Sequence, residues 1–134
     1  MSTRFQDRTD AGIQLAQLVV AHNFKNPVVI ALPRGGVPVA KAVAKSLRCP
    51  LDVIVVRKLG VPGQEEVGFG AISENDVRVV NDAIVTSLDL DSEVIEQIAN
   101  AQYEVLANRL TSIRKICSQV DLHGKTAIIV DDGI

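Results

Sequence analysis

The fold is decided by the stretch Val28-Val29-Ile30-Ala31-Leu32-Pro33-Arg34-Gly35-Gly36-Val37-Pro38-Val39-Ala40-Lys41-Ala42-Val43-Ala44. Five apolar residues at its start predict a strand that is covered on both faces. Gly35 and Gly36 allow positive φ and let a ligand approach the backbone, and Pro38 suits the first turn of a helix. Free N–H groups at the positive end of that helix, beside Arg34, predict an anion site.

The composition predicts a single α/β domain over residues 1–134. Hydrophobic residues make up 47% of the chain and aromatic residues only 3%, which is typical of aliphatic strands in a parallel sheet. The formal net charge of -2 argues against a nucleic-acid partner, which would need a basic face. The sequence contains no apolar run of about 18 residues and no signal peptide, so we expect no membrane contact and a cytoplasmic location.

Aliphatic runs and turn signals predict the order of the elements. These are a helix over 5–23, a strand over 28–32, a helix over 37–47, a strand over 51–56, a helix over 91–116 and a strand over 126–130. The first two strands and the helix between them form a βαβ unit, so their strands are parallel. We expect the strand over 126–130 to lie beside the strand over 28–32.

The segment between the second and third parallel strands has a different character. Glycine, proline and acidic residues over 59–70 predict a mobile loop. Short apolar runs over 69–73 and 77–81 flank the polar turn Glu74-Asn75-Asp76 and predict an antiparallel hairpin. The predicted fold class is therefore α/β, with three layers, a mostly parallel sheet and an antiparallel hairpin that forms a hood.

Charged residues follow two of the predicted parallel strands. Arg57-Lys58 follows the second strand and Asp131-Asp132 follows the third. Ligands of doubly wound sheets bind at this edge, so we expect these pairs to face Arg34-Gly35-Gly36. Each group also has a simpler explanation: a tight strand-to-helix connection, a solvated strand end, or a turn. Their coincidence at three adjacent strand ends favours one site.

The spacing of the residues excludes two common phosphate motifs. The Rossmann pattern needs a glycine where Val39 stands, and the P-loop needs Gly-Lys-Ser/Thr, whereas Lys41 follows Ala40. Amide donors with basic side chains suit a polyphosphate, and adjacent carboxylates suit ribose hydroxyls and Mg²⁺. A ligand that carries both a polyphosphate and the ribose hydroxyl groups is phosphoribosyl pyrophosphate.

Three segments resemble the type I phosphoribosyltransferase family, in particular its stand-alone predicted phosphoribosyltransferase branch. The matching residues are 32–40, 56–60 with Glu66 and 68–71, and 130–134. The opening Phe5-Gln6-Asp7-Arg8 is similar to the same branch. The resemblance covers nearly the whole chain, and three moderately specific motifs in the right order make it a strong signal.

The resemblance implies a role for each basic or glycine residue of these motifs. Arg34, Gly35 and Gly36 would form the loop that binds the pyrophosphate group. Arg57 and Lys58 would add positive charge there, and residues 59–80 would be the hood that closes over the substrate. The substrates would be phosphoribosyl pyrophosphate and a base or another acceptor, with release of pyrophosphate.

The same resemblance assigns the acidic pair. Asp131 and Asp132 would bind the ribose hydroxyls, directly or through Mg²⁺, and would act with Arg34 and Lys58 as the catalytic residues. Family members are commonly homodimers, and their signature continues past the last residue here, so we expect a fold that is incomplete at its C-terminus. Two alternatives stay open: a non-catalytic module that binds a phosphosugar or nucleotide, and an inactive fragment of the enzyme.

Overall fold

A computed structural model describes residues 4–133, which form two compact units. The first unit comprises residues 4–54 and 117–133, and the second unit comprises residues 55–116. Each unit has its own hydrophobic core, and one domain over residues 1–134 stays a prediction. Ile134, the last residue of the third predicted motif, lies outside the described residues.

Four helices and six strands follow one another along the described residues. They are α1 (Arg8–Ala21), β1 (Pro27–Ala31), α2 (Gly36–Leu47), β2 (Leu51–Val53), β3 (Val56–Val61), β4 (Gln64–Ser73), β5 (Val77–Val80), α3 (Asp82–Ser87), α4 (Ser92–Arg114) and β6 (Thr126–Val130). The α/β class, the parallel sheet and the antiparallel hairpin are confirmed. α3, a short helix that begins after the N-cap residue Asn81, was not predicted from the sequence.

The first unit is built on a parallel sheet with the strand order β2-β1-β6. Val29 in the central strand aligns with Leu51 of β2 on one side and with Ile128 of β6 on the other. Four of the five residues of β1 are buried, as a strand between two neighbours and two covered faces requires. The predicted pairing of the first and third parallel strands is confirmed.

The core of the first unit joins the sheet to α1 and α2. Val29 and Val130 from the sheet pack with Val39 and Val43 from α2. Each fully buried valine contributes about 1.5 kcal/mol or more to folding. The two helices approach closely at Gly12, because a Cβ atom there would lie only 2.7 Å from the Cβ atom of Ala42.

The second parallel strand is shorter than predicted. β2 ends at Val53, and β3 begins at Val56 in a different sheet. The prediction of one strand over 51–56 is therefore wrong. Its cause is the continuous aliphatic run Val53-Ile54-Val55-Val56, since strands of both sheets use such residues and periodicity alone does not separate them.

The second unit contains an antiparallel sheet with the order β3-β4-β5. The predicted mobile loop over 59–70 is wrong, because most of it forms β3 and β4, joined at Pro62-Gly63. A Cβ atom at Gly60 would lie 2.7 Å from the Glu65 carbonyl oxygen, and one at Gly70 would lie 2.4 Å from the Val79 carbonyl oxygen. The glycines thus permit close strand approach instead of marking a loop.

The predicted antiparallel hairpin around the turn Glu74-Asn75-Asp76 is confirmed. Ser73 of β4 pairs with Val77 of β5, and Asn75 and Asp76 between them both have left-handed φ angles, which these residue types tolerate.

The long helix α4 begins after Asp91, whose carboxylate accepts a hydrogen bond from the Glu93 amide at 3.0 Å. Within residues 4–133, no helix combines the length and hydropathy needed to cross a bilayer.

Substitution of Gly12 by alanine is expected to destabilise the first unit. Alanine gains about 1 kcal/mol of helix propensity over glycine, but the added methyl group overpacks the contact with Ala42, which costs about 1–3 kcal/mol. We expect net destabilisation of about 1 kcal/mol by urea denaturation, with the exposed Gln17→Ala on the same helix as a neutral control. A more stable Gly12→Ala variant would contradict the packing argument.

Candidate functional site

The loop between β1 and α2 is closed by its own backbone hydrogen bonds. The Gly36 amide donates to the Leu32 carbonyl at 3.0 Å, and the Val37 amide donates to the Arg34 carbonyl at 3.1 Å. Fewer N–H groups are therefore free than the sequence predicted. Within the described residues, the loop amides that keep no intramolecular acceptor are those of Arg34 and Gly35.

The two loop glycines serve close packing. Gly35 has a φ angle of -61°, and neither Gly35 nor Gly36 has positive φ, so the predicted use of left-handed backbone is wrong. A Cβ atom on Gly35 would lie 2.0 Å from Asp132 Oδ2, and one on Gly36 would lie 2.7 Å from the Val130 carbonyl oxygen. The loop thus packs directly against the end of β6, which brings Asp132 to the loop as predicted.

Asp132 is held by an arginine that the sequence analysis did not assign to the site. Arg8 donates to Asp132 Oδ2 from Nη2 at 2.8 Å and from Nε at 3.1 Å. This contact lowers the pKa of the Asp132 carboxyl below its ordinary value. Because the arginine side chain is 60% exposed, the pair adds little stability, and its main effect is to orient the carboxylate.

The N-terminal turn of α1 positions Arg8. The Asp7 carboxylate caps the helix by accepting from the Asp10 amide at 2.8 Å, and the Gln6 amide donates to Asp10 Oδ2 at 2.9 Å. Arg8 is the first helical residue, where the helix dipole disfavours a positive charge. This small penalty does not identify a partner, so the sequence carried no signal for the contact between Arg8 and Asp132, which are 124 positions apart.

The remaining predicted residues of the first unit lie at the same edge of the sheet. Asp131 Oδ1 accepts a hydrogen bond from the Asp132 amide at 2.8 Å, which turns the chain directly after β6. Arg34 is exposed, and within residues 4–133 its side chain has no hydrogen-bond or ion-pair partner. The loop therefore offers an open cation beside two carboxylates.

Arg57 and Lys58 belong to the second unit, on β3. Their predicted place at the end of a parallel strand is wrong, because that strand ends at Val53. Arg57 Nε donates to Gln102 Oε1 at 2.9 Å, and Lys58 Nζ donates to the Glu66 carbonyl at 3.1 Å. The lysine is exposed and the arginine is half-buried.

The acidic pair suits a hard cation only in part. Within residues 4–133, no cluster of three or more histidine, cysteine, aspartate or glutamate side chains could hold a metal ion. Carboxylate oxygens are ligands that Mg²⁺ accepts, but it keeps several waters and is often bound through substrate phosphates. Asp131 and Asp132 therefore fit an ion that is held mainly by substrate and water.

Comparison with known proteins identifies the family. A family model described as "Phosphoribosyl transferase domain" matches residues 3–134. The chain belongs to the phosphoribosyl transferase domain family. Proteins from two strains of Mycobacterium tuberculosis, whose names class them provisionally as phosphoribosyl transferases, are 52% identical over 130 residues. A crystal structure of TT1426 from Thermus thermophilus is similar, with a TM-score of 0.85 and 36% identity.

The matched relatives of this phosphoribosyl transferase domain are longer than the chain. The alignments cover 97% of this chain but 29% of the mycobacterial proteins. The alignment with the Thermus thermophilus protein covers 96% of this chain and 61% of that chain. The family and its fold are thus shown for this chain, and the roles of individual residues rest on the geometry at the end of β6.

Removal of Arg8 is expected to raise the pKa of Asp132. In Arg8→Ala the carboxyl loses its charged donor, so its pKa returns toward the ordinary value of about 3.9. The pair stabilises the folded state fully above that ordinary pKa, and this stability is lost as the pH falls through the lower pKa of the folded state. Carboxyl ¹³C NMR titration measures the change, and an unshifted Asp132 in Arg8→Ala would contradict the assignment.

Exposed Lys25 provides the matched control for this titration, since its removal takes one positive charge from the same unit. We expect Lys25→Ala to leave the Asp132 titration unchanged, because solvent and salt screen exposed charges that are not in contact.

Proposed function

We propose that the complete protein is a phosphoribosyltransferase that transfers the phosphoribosyl group of phosphoribosyl pyrophosphate to a base or another acceptor. The proposal is carried by one observation within a phosphoribosyl transferase family member. The loop between β1 and α2, residues 32–35, is called the anion loop below. Its Gly35 lies so close to Asp132 that a Cβ atom would meet the carboxylate at 2.0 Å. A ligand that carries both phosphate groups and two adjacent hydroxyl groups can therefore contact the loop and the Asp132 carboxylate at the same time.

The loop residues are proposed to bind the pyrophosphate leaving group. As the bond from the anomeric carbon to pyrophosphate breaks, negative charge develops on the leaving oxygen and positive charge develops on the ring, as in glycoside cleavage. Arg34 and the unbonded amides of Arg34 and Gly35 are donors for that negative charge. Preorganised donors of this kind each contribute about 3 kcal/mol to transition-state stabilisation in a site without water.

The acidic residues are proposed to bind the ribose. Asp131 and Asp132 are acceptors for the 2- and 3-hydroxyl groups, and Arg8 keeps the Asp132 carboxylate ionised and oriented. Mg²⁺, when bound, supplies charge neutralisation for the pyrophosphate oxygens. No covalent nucleophile on the protein is required, because the acceptor itself forms the new bond to the anomeric carbon.

The second unit contributes to the proposal through the family resemblance. Lys58 is exposed and carries the positive charge that we assign to pyrophosphate binding, together with Arg57. The antiparallel sheet of β3, β4 and β5 is the proposed hood.

Calorimetric titration of phosphoribosyl pyrophosphate tests the binding half of this proposal. We expect Mg²⁺-dependent binding that Arg34→Ala and Asp132→Asn each weaken about tenfold or more, since a hydrogen bond to a charged group contributes about 1.5–3 kcal/mol. Lys25→Ala, which removes an exposed cation outside the loop, serves as the control. Equal affinity of all four proteins would overturn the assigned site.

The reaction itself is tested by pyrophosphate release from the complete protein across a panel of bases. Turnover with one acceptor supports a transferase. Tight binding without turnover for any acceptor would instead favour the non-catalytic phosphosugar-binding module.

Gly35→Ala is expected to weaken binding of phosphoribosyl pyrophosphate without a backbone penalty. Alanine adopts a φ angle of -61° readily, so the effect arises from the clash with the Asp132 carboxylate. Gly133→Ala is the matched control, because a Cβ atom at that glycine meets nothing within 4 Å. The close approach would have no functional meaning if both alanine variants bound the ligand as tightly as the parent chain.

A further inference from the structure

A second concave surface lies in the first unit, between α1 and α2. This groove has a volume of about 880 Å³, within the range of small-molecule sites. Its lining includes the cations Lys41, Lys45 and Arg48, and none of the residues that we assign to the phosphoribosyl site. Its apolar wall includes Ile13, Pro38 and Ala42. We call this surface the α1–α2 groove.

The cations of the α1–α2 groove are not balanced by acids. No aspartate or glutamate lines it, and within the described residues none of the three cationic side chains has a hydrogen-bond or ion-pair partner. Lys41 and Lys45 stand four residues apart on one helix, where like charges repel. The chain as a whole has a net charge of -2, so the groove is a local exception. An anion bound there would relieve the repulsion.

The spacing and the apolar wall restrict the kind of anion. Lys41 and Arg48 are seven positions apart, which corresponds to about 10 Å along a helix. A chain of phosphates matches that length better than a single phosphate group does. Ile13 on the opposite helix is 51% exposed, and with Pro38 it offers a surface on which a flat ring can pack.

We propose that the α1–α2 groove binds a nucleoside polyphosphate, with phosphates along Lys41, Lys45 and Arg48 and the base against Ile13. Because the three cations can themselves neutralise charge on the phosphates, we expect this binding to occur without Mg²⁺. The site is separate from the proposed phosphoribosyl site, and the proposal does not depend on that function.

The α1–α2 groove adjoins residues that position the proposed phosphoribosyl site. Thr9 in the lining follows Arg8, which holds Asp132. Val37 in the lining donates its amide to the Arg34 carbonyl at 3.1 Å. The lining of the groove therefore includes one residue from each of the two short segments that position the charged groups of the proposed phosphoribosyl site.

Titration of the protein with ATP in the presence of EDTA tests the proposal, with backbone amide NMR as the readout. We expect saturable shifts at the groove residues of α2, at least tenfold weaker binding in the double variant Lys41→Ala/Lys45→Ala, and unchanged binding in Lys25→Ala. Arg34→Ala is expected to keep the same affinity, which distinguishes the groove from the phosphoribosyl site. Absence of saturable shifts at millimolar ATP would overturn the proposal.

Arg48→Gly separates binding from folding. Arg48 ends α2 with a left-handed φ of 52°, a conformation that glycine adopts at lower cost, so the variant is expected to be folded and to have a higher thermal midpoint. We expect its affinity for ATP to fall several-fold nevertheless. Undiminished affinity would contradict the role of Arg48.

Two further probes define the ligand class. Inorganic tripolyphosphate is expected to bind more weakly than ATP, because it lacks the base. Equal affinities would overturn the part of the proposal that assigns the base to Ile13. Tighter binding of a hexaglutamate peptide than of ATP would reassign the groove to an acidic protein partner and would overturn the nucleotide assignment.

Discussion

The parallel pairing of β1 with β6 is the constraint on which the candidate site depends. Ala31 aligns with Val130, and the amide of Leu32, immediately after β1, donates to the carbonyl of Val130, the last residue of β6, at 3.0 Å. Parallel strands deliver the residues that follow them to one edge of the sheet. This single register therefore places the anion loop beside the acidic pair, although the two segments are about a hundred residues apart in the chain.

Close packing of backbone explains most of the glycines that matter in this chain. Gly12 allows two helices to approach, Gly35 leaves room for a carboxylate, and Gly60 and Gly70 allow neighbouring strands to pair. Gly63 is different, because it has positive φ in the connection between β3 and β4. The two uses look the same in a sequence, since both require only the absence of a Cβ atom. This is why residues over 59–70 resemble a loop and form a hairpin.

The charges of the first unit are divided between paired and open groups. Asp132 accepts two hydrogen bonds from Arg8, which orient its carboxylate and favour the ionised form. Arg34 and the cations of the α1–α2 groove remain open to solvent among the described residues. A chain with a nearly balanced net charge therefore still presents exposed cations at two places in the first unit, and both of our proposals rest on them. The overall charge argues against a broad basic face, but it does not describe the local distribution of charged residues.

The sequence by itself determined the α/β class, the central strand, the helix after the anion loop and the end of β6, because burial and turn chemistry are local properties of a few adjacent residues. It also pointed to Arg34, Gly35, Gly36, Asp131 and Asp132 as one group, since parallel strands share an edge. It added Arg57 and Lys58 to that edge, whereas the structure places both on β3 of the second unit. Only the tertiary structure decided that Arg8 holds Asp132 across 124 positions, that the aliphatic run after β2 divides between two sheets, and that α1 and α2 form a groove. Those features depend on which distant segments meet. Periodicity records only which face of each segment is buried.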